Sequence, residues 1–253
     1  MKGYVIVATG IYIELAELLA RSIKFTQTIN SVALITDDYK GNVFDHVIRS
    51  NSSNVMEIRT QIYDLSPFEE TVSLDADMVF LNNVDHWWDH LSKFDLLITD
   101  KVKDYRGNIV TVPYRNTFIK NDLPNCYSAF TYFKKNNDNL LFFNTIKEIV
   151  KNWEDWTDLY TPLNKQKHPS LDLAMSIAAK HLSITQKIFT KLPYPTFTHM
   201  KTECQNWPFL TGSWQQYLAL NANNSTIELG NYIQDGILHY VDKDIGKKLL
   251  HLF

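Results

Sequence analysis

Residues 71–85 read Thr71-Val72-Ser73-Leu74-Asp75-Ala76-Asp77-Met78-Val79-Phe80-Leu81-Asn82-Asn83-Val84-Asp85, an apolar run interrupted at its centre by two carboxylates. A buried strand excludes unpaired charge, because a carboxylate taken out of water costs more than apolar packing returns. Asp75 and Asp77 therefore mark a place where the run serves chemistry as well as packing. Residues two apart on an extended backbone project to the same side. The spacing thus predicts that a strand over residues 71–81 aims both carboxylates at one site. Two hard oxygen donors so placed suit Mn²⁺ or Mg²⁺ and leave coordination positions for diphosphate oxygens and water. A second Asp-x-Asp pair, Asp242-Lys243-Asp244, lies in an already polar stretch, where solvated surface is the simpler expectation.

Toward the N-terminus, residues 4–8 form a short apolar run. Ile13, Leu15, Ala16, Leu18, Leu19 and Ile23 then recur at helical spacing, and residues 32–36 are apolar again. Strand, helix and strand in that order favour a parallel sheet. Residues 43–48 supply another extended piece, and residues 58–65 a helix that Pro67 ends. Toward the C-terminus the pattern predicts a helix at 85–91, strands at 94–99 and 127–133, and helices at 137–153 and 170–180. Residues 101–124 read as irregular. The tail is punctuated by Pro193 and Pro195, with short strands at 226–229 and 237–241. The expected class is α/β, a mostly parallel central sheet flanked by helices. With no repeat or linker to cut at, residues 1–253 are expected to form a single domain.

Of 253 residues, 45% are hydrophobic, enough for one substantial core. A net charge of -3 with scattered lysines gives no field to hold a nucleic-acid backbone, which argues against nucleic acid as a partner and against a nuclease. Cys126 and Cys204 have no Cys-x-x-Cys spacing, so neither a disulfide framework nor a structural zinc site is expected. No cleavable leader is visible and no apolar run approaches the roughly 20 residues of a membrane span; the expectation is a cytoplasmic protein. Among only 8 glycines there is no Gly-x-Gly-x-x-Gly or Walker pattern. Phosphate would have to be held by metal and cationic side chains.

Phe68-Glu69-Glu70-Thr71, leading into Leu74-Asp75-Ala76-Asp77 and then Asn82-Asn83-Val84-Asp85, resembles the glycogenin-like (family eight) glycosyltransferases. The similarity is clearest over residues 1–100, weaker over 120–180 and fragmentary beyond. It implies a GT-A fold, a UDP-sugar donor, a hydroxyl acceptor such as a carbohydrate, Mn²⁺, and usually retention of anomeric configuration. Residues 1–100 would be the nucleotide-binding half, and residues 101–253 the acceptor half with a C-terminal metal-ligand segment. The resemblance assigns Ala8, Thr9 and Tyr12 to the loop around base and ribose. Asp37, also at a strand end, and Arg59, on the helix before the metal strand, are expected near the donor, alongside the Asp75-Ala76-Asp77 segment. Ile237-Leu238-His239-Tyr240-Val241 resembles the strand whose histidine completes the metal shell, which nominates His239. The family's H-x-x-G-x-x-K pattern is broken here because Gly246 lies too late, and Lys243 and Lys247 compete for the diphosphate. Asn125, in Asn125-Cys126-Tyr127-Ser128, and Asp172, at the start of a helix, correspond to groups facing the sugar.

Tyr194, Phe197, Trp207, Trp214 and Tyr217 are candidates for stacking on an acceptor sugar or for a core beneath long loops. Two alternatives lie outside glycosyl transfer. A sugar nucleotidyltransferase needs a Gly-rich basic loop, and Ala8-Thr9-Gly10 is followed by no Lys or Arg before Arg21. A non-catalytic carbohydrate-binding protein would need the aromatics but not the paired aspartates.

Overall fold

The computed structural model describes residues 1–52, 54–110, 113–188, 196–200, 218–221 and 226–253. The central strands of its main sheet are apolar on both faces, and that sets the layers. In β1 (Lys2–Val7) Tyr4 and Ile6 enter one core and Val5 another, the alternation of an extended chain. Helix α1 (Tyr12–Thr26) brings Leu15, Ala16, Leu19 and Ile23 to the first core. Strand β2 (Val32–Thr36) is buried throughout, as expected of a strand covered on both sides; Val32 and Leu34 face one core, Ala33 and Ile35 the other. Strand β3 (His46–Arg49) is half-exposed.

Helix α2 (Val55–Thr60) starts where the Asn54 side chain accepts the Met56 and Glu57 N–H groups. It is followed by α3 (Ile62–Leu65), β4 (Glu70–Leu74), β5 (Met78–Phe80), α4 (His86–Leu91) and β6 (Leu96–Thr99). Then come β7 (Val102–Lys103), β8 (Ile109–Val110), a 3₁₀ turn at Pro113–Arg115, α5 (Asn116–Lys120) and β9 (Tyr127–Lys134). Helices α6 (Asn137–Lys151), α7 (Trp153–Tyr160), α8 (Leu171–His181) and α9 (Thr185–Ile188) lead to β10 (Thr198–His199) and β11 (Leu218–Asn221). Then follow β12 (Thr226–Leu229), β13 (Tyr232–Gln234), β14 (Ile237–His239), α10 (Lys243–Leu249) and a 3₁₀ turn at Leu250–Leu252.

Among the described residues, the main sheet has the order β3-β2-β1-β4-β9-β6. The pairs from β3 through β4 are parallel, while β9 runs antiparallel to both its neighbours. A second sheet, β5-β14-β10-β7-β8, packs through the core that also holds α1; α2, α6 and α8 supply the core on the other side. Strands β11, β12 and β13 form a small antiparallel sheet. The expected α/β class with a mostly parallel central sheet is therefore present.

Three local expectations are corrected. Residues 71–81 are not one strand: β4 belongs to the main sheet and β5 to the second, and Asp75-Ala76-Asp77 is the turn between them. Hydrogen bonds tie that turn at both ends, from the Asp75 N–H to the Ala129 carbonyl (3.1 Å) and from the Tyr240 N–H to the Asp77 carbonyl (3.1 Å). Residues 101–124 carry β7, β8 and α5, and the helix expected over 137–153 is divided between α6 and α7. No helix among the described residues is long and apolar enough to cross a membrane.

Candidate active site

Parallel β1 and β4 end at the same sheet edge, so the residues following them, Ala8-Thr9 and Asp75-Ala76-Asp77, meet there. Because β9 is antiparallel, its beginning, with Ser128, reaches the same edge. Val7, Ala8, Thr9, Tyr12, Val55, Arg59, Asp75, Ala76 and Asp77 line a cleft of about 370 Å³. Gly10 turns the chain from β1 into α1 with φ +54°, a conformation glycine adopts without steric cost.

Asp75, Asp77 and His239 form a constellation whose ligand atoms all lie within 4.8 Å of one another. His239 arrives because β14 pairs antiparallel with β5, placing it opposite Met78. Its Nε2 is 3.0 Å from Asp77 Oδ1. Two carboxylates and one imidazole fit Mn²⁺ or Mg²⁺ by donor type, with His favouring the transition ion. The electrostatics separate the two acids. Burial pushes the Asp75 carboxyl up, the Asp77 charge adding to it and Arg59 opposing it. Burial also works to raise Asp77, but the charge and hydrogen bond of His239 outweigh it and hold that carboxyl below the ordinary range.

A hydrogen-bonded chain extends from this triad. Arg59, in the last turn of α2, pairs through Nη2 with Asp75 Oδ1 and lies 3.4 Å from Ser128 Oγ. The Ser128 hydroxyl and N–H donate to Asp172 Oδ1 at 2.6 and 2.8 Å, and Arg115 Nη2 donates to Asp172 Oδ2 at 2.7 Å. Arg115 is 3% exposed; its guanidinium lies 3.6 Å from the Tyr127 ring centroid and also donates to the Cys126 carbonyl. Burial opposes ionisation of Asp172, yet Arg115 and Ser128 hold its carboxyl below the ordinary range.

Lys243 sits at the start of α10 with Nζ 4.3 Å from the ring centroid of Tyr12, which lines the cleft. The chain reaches it through a tight turn: the Asp242 N–H donates to the Tyr240 carbonyl (2.6 Å) across Val241, which has φ +62°. A left-handed β-branched residue is strained, and the turn swings Lys243 toward α1. The second Asp-x-Asp pair is a helix cap, the Asp242 side chain accepting the Asp244 N–H at 2.9 Å. Gly246 belongs to α10 packing: a Cβ there would lie 2.4 Å from Leu15 Cδ2 and 3.2 Å from the buried Tyr240 hydroxyl.

Other sequence candidates are placed as follows. Asp37 is exposed at the end of β2, accepts the Asp38 N–H and does not line the cleft. Asn125 donates to the Asp100 carbonyl at 2.6 Å, and its buried Oδ1 has no hydrogen-bond partner among the described residues. Phe197 is buried against Tyr127, His199 and His239, so it packs and does not offer a sugar-stacking face. Tyr194, Cys204, Trp207, Trp214 and Tyr217 lie outside the described residues. Arg115 and His199 were not anticipated. Arg115 sits in a stretch with no periodicity, and no spacing links His199 to His239, 40 residues away.

No protein-family profile and no curated protein matches this sequence. Solved structures do match. Mouse xyloside xylosyltransferase 1 in its apo form superposes with a TM-score of 0.54 at 11% identity, covering 94% of this chain and 97% of that one. The galactosyltransferase LgtC, in complex with donor and acceptor sugar analogues, gives 0.52 at 10% identity over 98% and 95% of the two chains. The apo glycosyltransferase GlyE of Streptococcus pneumoniae TIGR4 gives 0.51 at 14% identity over 98% of this chain and 60% of its own. All three are glycosyltransferases, and the fold they share with this chain is GT-A.

Proposed function

Because the chain has the GT-A fold, we propose that it is a metal-dependent glycosyltransferase that moves a hexose from a UDP-sugar to a hydroxyl acceptor such as a carbohydrate. The observation that carries this is the convergence of Asp75, Asp77 and His239 beside the cleft lined by Ala8, Thr9, Tyr12 and Arg59. Asp75, Asp77 and His239 would hold Mn²⁺ or Mg²⁺, which when bound supplies Lewis-acid neutralisation of a departing diphosphate.

The remaining work falls to side chains of this protein. Tyr12, 37% exposed, offers a ring to a nucleobase, and Thr9 offers a hydroxyl to the ribose. Arg59, paired with Asp75, and Lys243, beside the Tyr12 ring, balance diphosphate charge in a site without a glycine-rich phosphate loop. Asp172 is fixed by Ser128 and Arg115 as an anion, suited to stabilising the positive charge that develops on a sugar ring as its glycosidic bond breaks. Asn125 is the further candidate for contact with the sugar.

Calorimetric titration of UDP and UDP-glucose with and without Mn²⁺, on the unmodified chain and on Asp77→Ala, tests this proposal. Metal-dependent binding abolished by the substitution is expected. Binding that ignores the metal, or sugar binding without nucleotide binding, would move the protein to a carbohydrate-binding role.

A further inference from the structure

The proposed metal ligand His239 does not stand alone. In the second sheet β10 and β14 run parallel with His199 directly opposite His239. The two rings approach to 4.7 Å between centroids, and their Nδ1 atoms are 3.0 Å apart. Both residues are buried, and the His199 ring is flanked edge-on by Tyr127 and Phe197 at 5.8 and 5.9 Å. The backbone is fixed as well, since the Met200 N–H donates to the His239 carbonyl at 2.9 Å.

That contact couples the tautomers of the two rings. A hydrogen bond between two ring nitrogens holds one proton, so one Nδ1 donates and the other accepts. His239 Nε2 is the nitrogen that faces Asp77. To coordinate a cation it must present a lone pair there, so a neutral His239 carries its proton on Nδ1. That N–H needs an acceptor, and His199 Nδ1 supplies it when His199 keeps its own proton on Nε2. In the opposite arrangement His239 accepts at Nδ1 and places a proton on Nε2, where it blocks the ligand position. Histidine ligands are commonly oriented by a carboxylate or a carbonyl on the distal nitrogen, which also raises their basicity.

We propose that His199 is a positioning residue of the metal centre: through the Nδ1–Nδ1 hydrogen bond it holds His239 in the tautomer and orientation that binds a divalent cation. The inference rests on the metal-centre reading above. It assigns a role to a residue outside the Asp75–Asp77–His239 triad, and it makes metal affinity depend on a side chain that never touches the ion.

The test is a Mn²⁺ titration of the full chain, followed by loss of the free-ion electron paramagnetic resonance signal. His199→Phe fills the same space without an acceptor and is expected to weaken Mn²⁺ binding about 10- to 100-fold. His199→Asn, whose Oδ1 can stand where the imidazole Nδ1 stood, is expected to recover most of that loss. His199→Leu gives a second acceptor-free side chain should the phenylalanine variant unfold, and thermal melts of each variant confirm folding. Unchanged affinity in the acceptor-free variants overturns the proposal, and so does an asparagine variant as weak as they are. Failure of the unmodified chain to bind Mn²⁺ would instead overturn the metal centre itself, and this inference with it.

Discussion

Replacing Arg115 by methionine removes the only guanidinium paired with Asp172 among the described residues, and its cost follows from burial. Arg115 is 3% exposed and the Asp172 side chain 20%, so neither charge is well solvated. Breaking one side of a buried ion pair costs about 3–5 kcal/mol, because the other charge is left uncompensated. Ser128 would still donate two hydrogen bonds to Asp172, which places the expected loss near the lower end, about 3 kcal/mol. Adding Asp172→Asn removes the stranded charge, so the double variant should lose less than the sum of the single changes, by about 0.5–3 kcal/mol.

The pH dependence carries its own signature. In the unmodified protein the folded Asp172 carboxyl titrates below the ordinary value of about 3.9. Its contribution to stability is therefore complete above that value and is lost as pH falls toward the folded pKa. In Arg115→Met burial has less to oppose it, the carboxyl titrates higher, and protonation relieves the penalty as pH falls. Denaturant unfolding at pH 7 and pH 4 should show the gap between the two proteins narrowing at the lower pH. A gap below about 1 kcal/mol at pH 7, or one independent of pH, would refute the assignment of Arg115 as the support of Asp172.

Asp242→Ala removes the cap of α10 and should cost about 1 kcal/mol in unfolding free energy while leaving Mn²⁺ affinity unchanged, the reverse of what is expected for Asp77→Ala. Gly246→Ala forces a Cβ against Leu15 and the Tyr240 hydroxyl and should destabilise by about 1–3 kcal/mol in thermal or denaturant unfolding. Gly3→Ala meets the Phe68 ring within 2.4 Å and should cost a similar amount, about 1–3 kcal/mol, with nucleotide binding per folded molecule intact. Tyr12→Ala should weaken calorimetrically measured UDP affinity by about 1–3 kcal/mol, the scale of one base–aromatic stack.

Much of the frame was legible in local sequence. Strands such as Val32–Thr36 are continuous apolar runs, and α1 and α8 carry their core residues at helical spacing. Asn54 and Ser170 cap their helices through side-chain oxygens, a signal that is local by nature. The paired aspartates were legible for the opposite reason: Asp75 and Asp77 break the apolar run they occupy. Their backbone was misread because sequence alone does not show that β4 and β5 pair with different partners. An apolar run crossing from one sheet to another has the same composition as one continuous strand.

By itself, the sequence determined the α/β class and the Asp75–Asp77 pair, since apolar periodicity and a misplaced charge are properties of neighbouring residues; His239 was nominated only by the resemblance of its strand to a family pattern. Tertiary structure decided that the second Asp-x-Asp pair is a helix cap and set Lys243 beside Tyr12. It also brought in Arg115 and His199, whose partners lie 57 and 40 residues away. Those pairings depend on antiparallel β9 and on parallel β10 and β14 delivering their ends to one place, and strand order is set by packing across the whole chain.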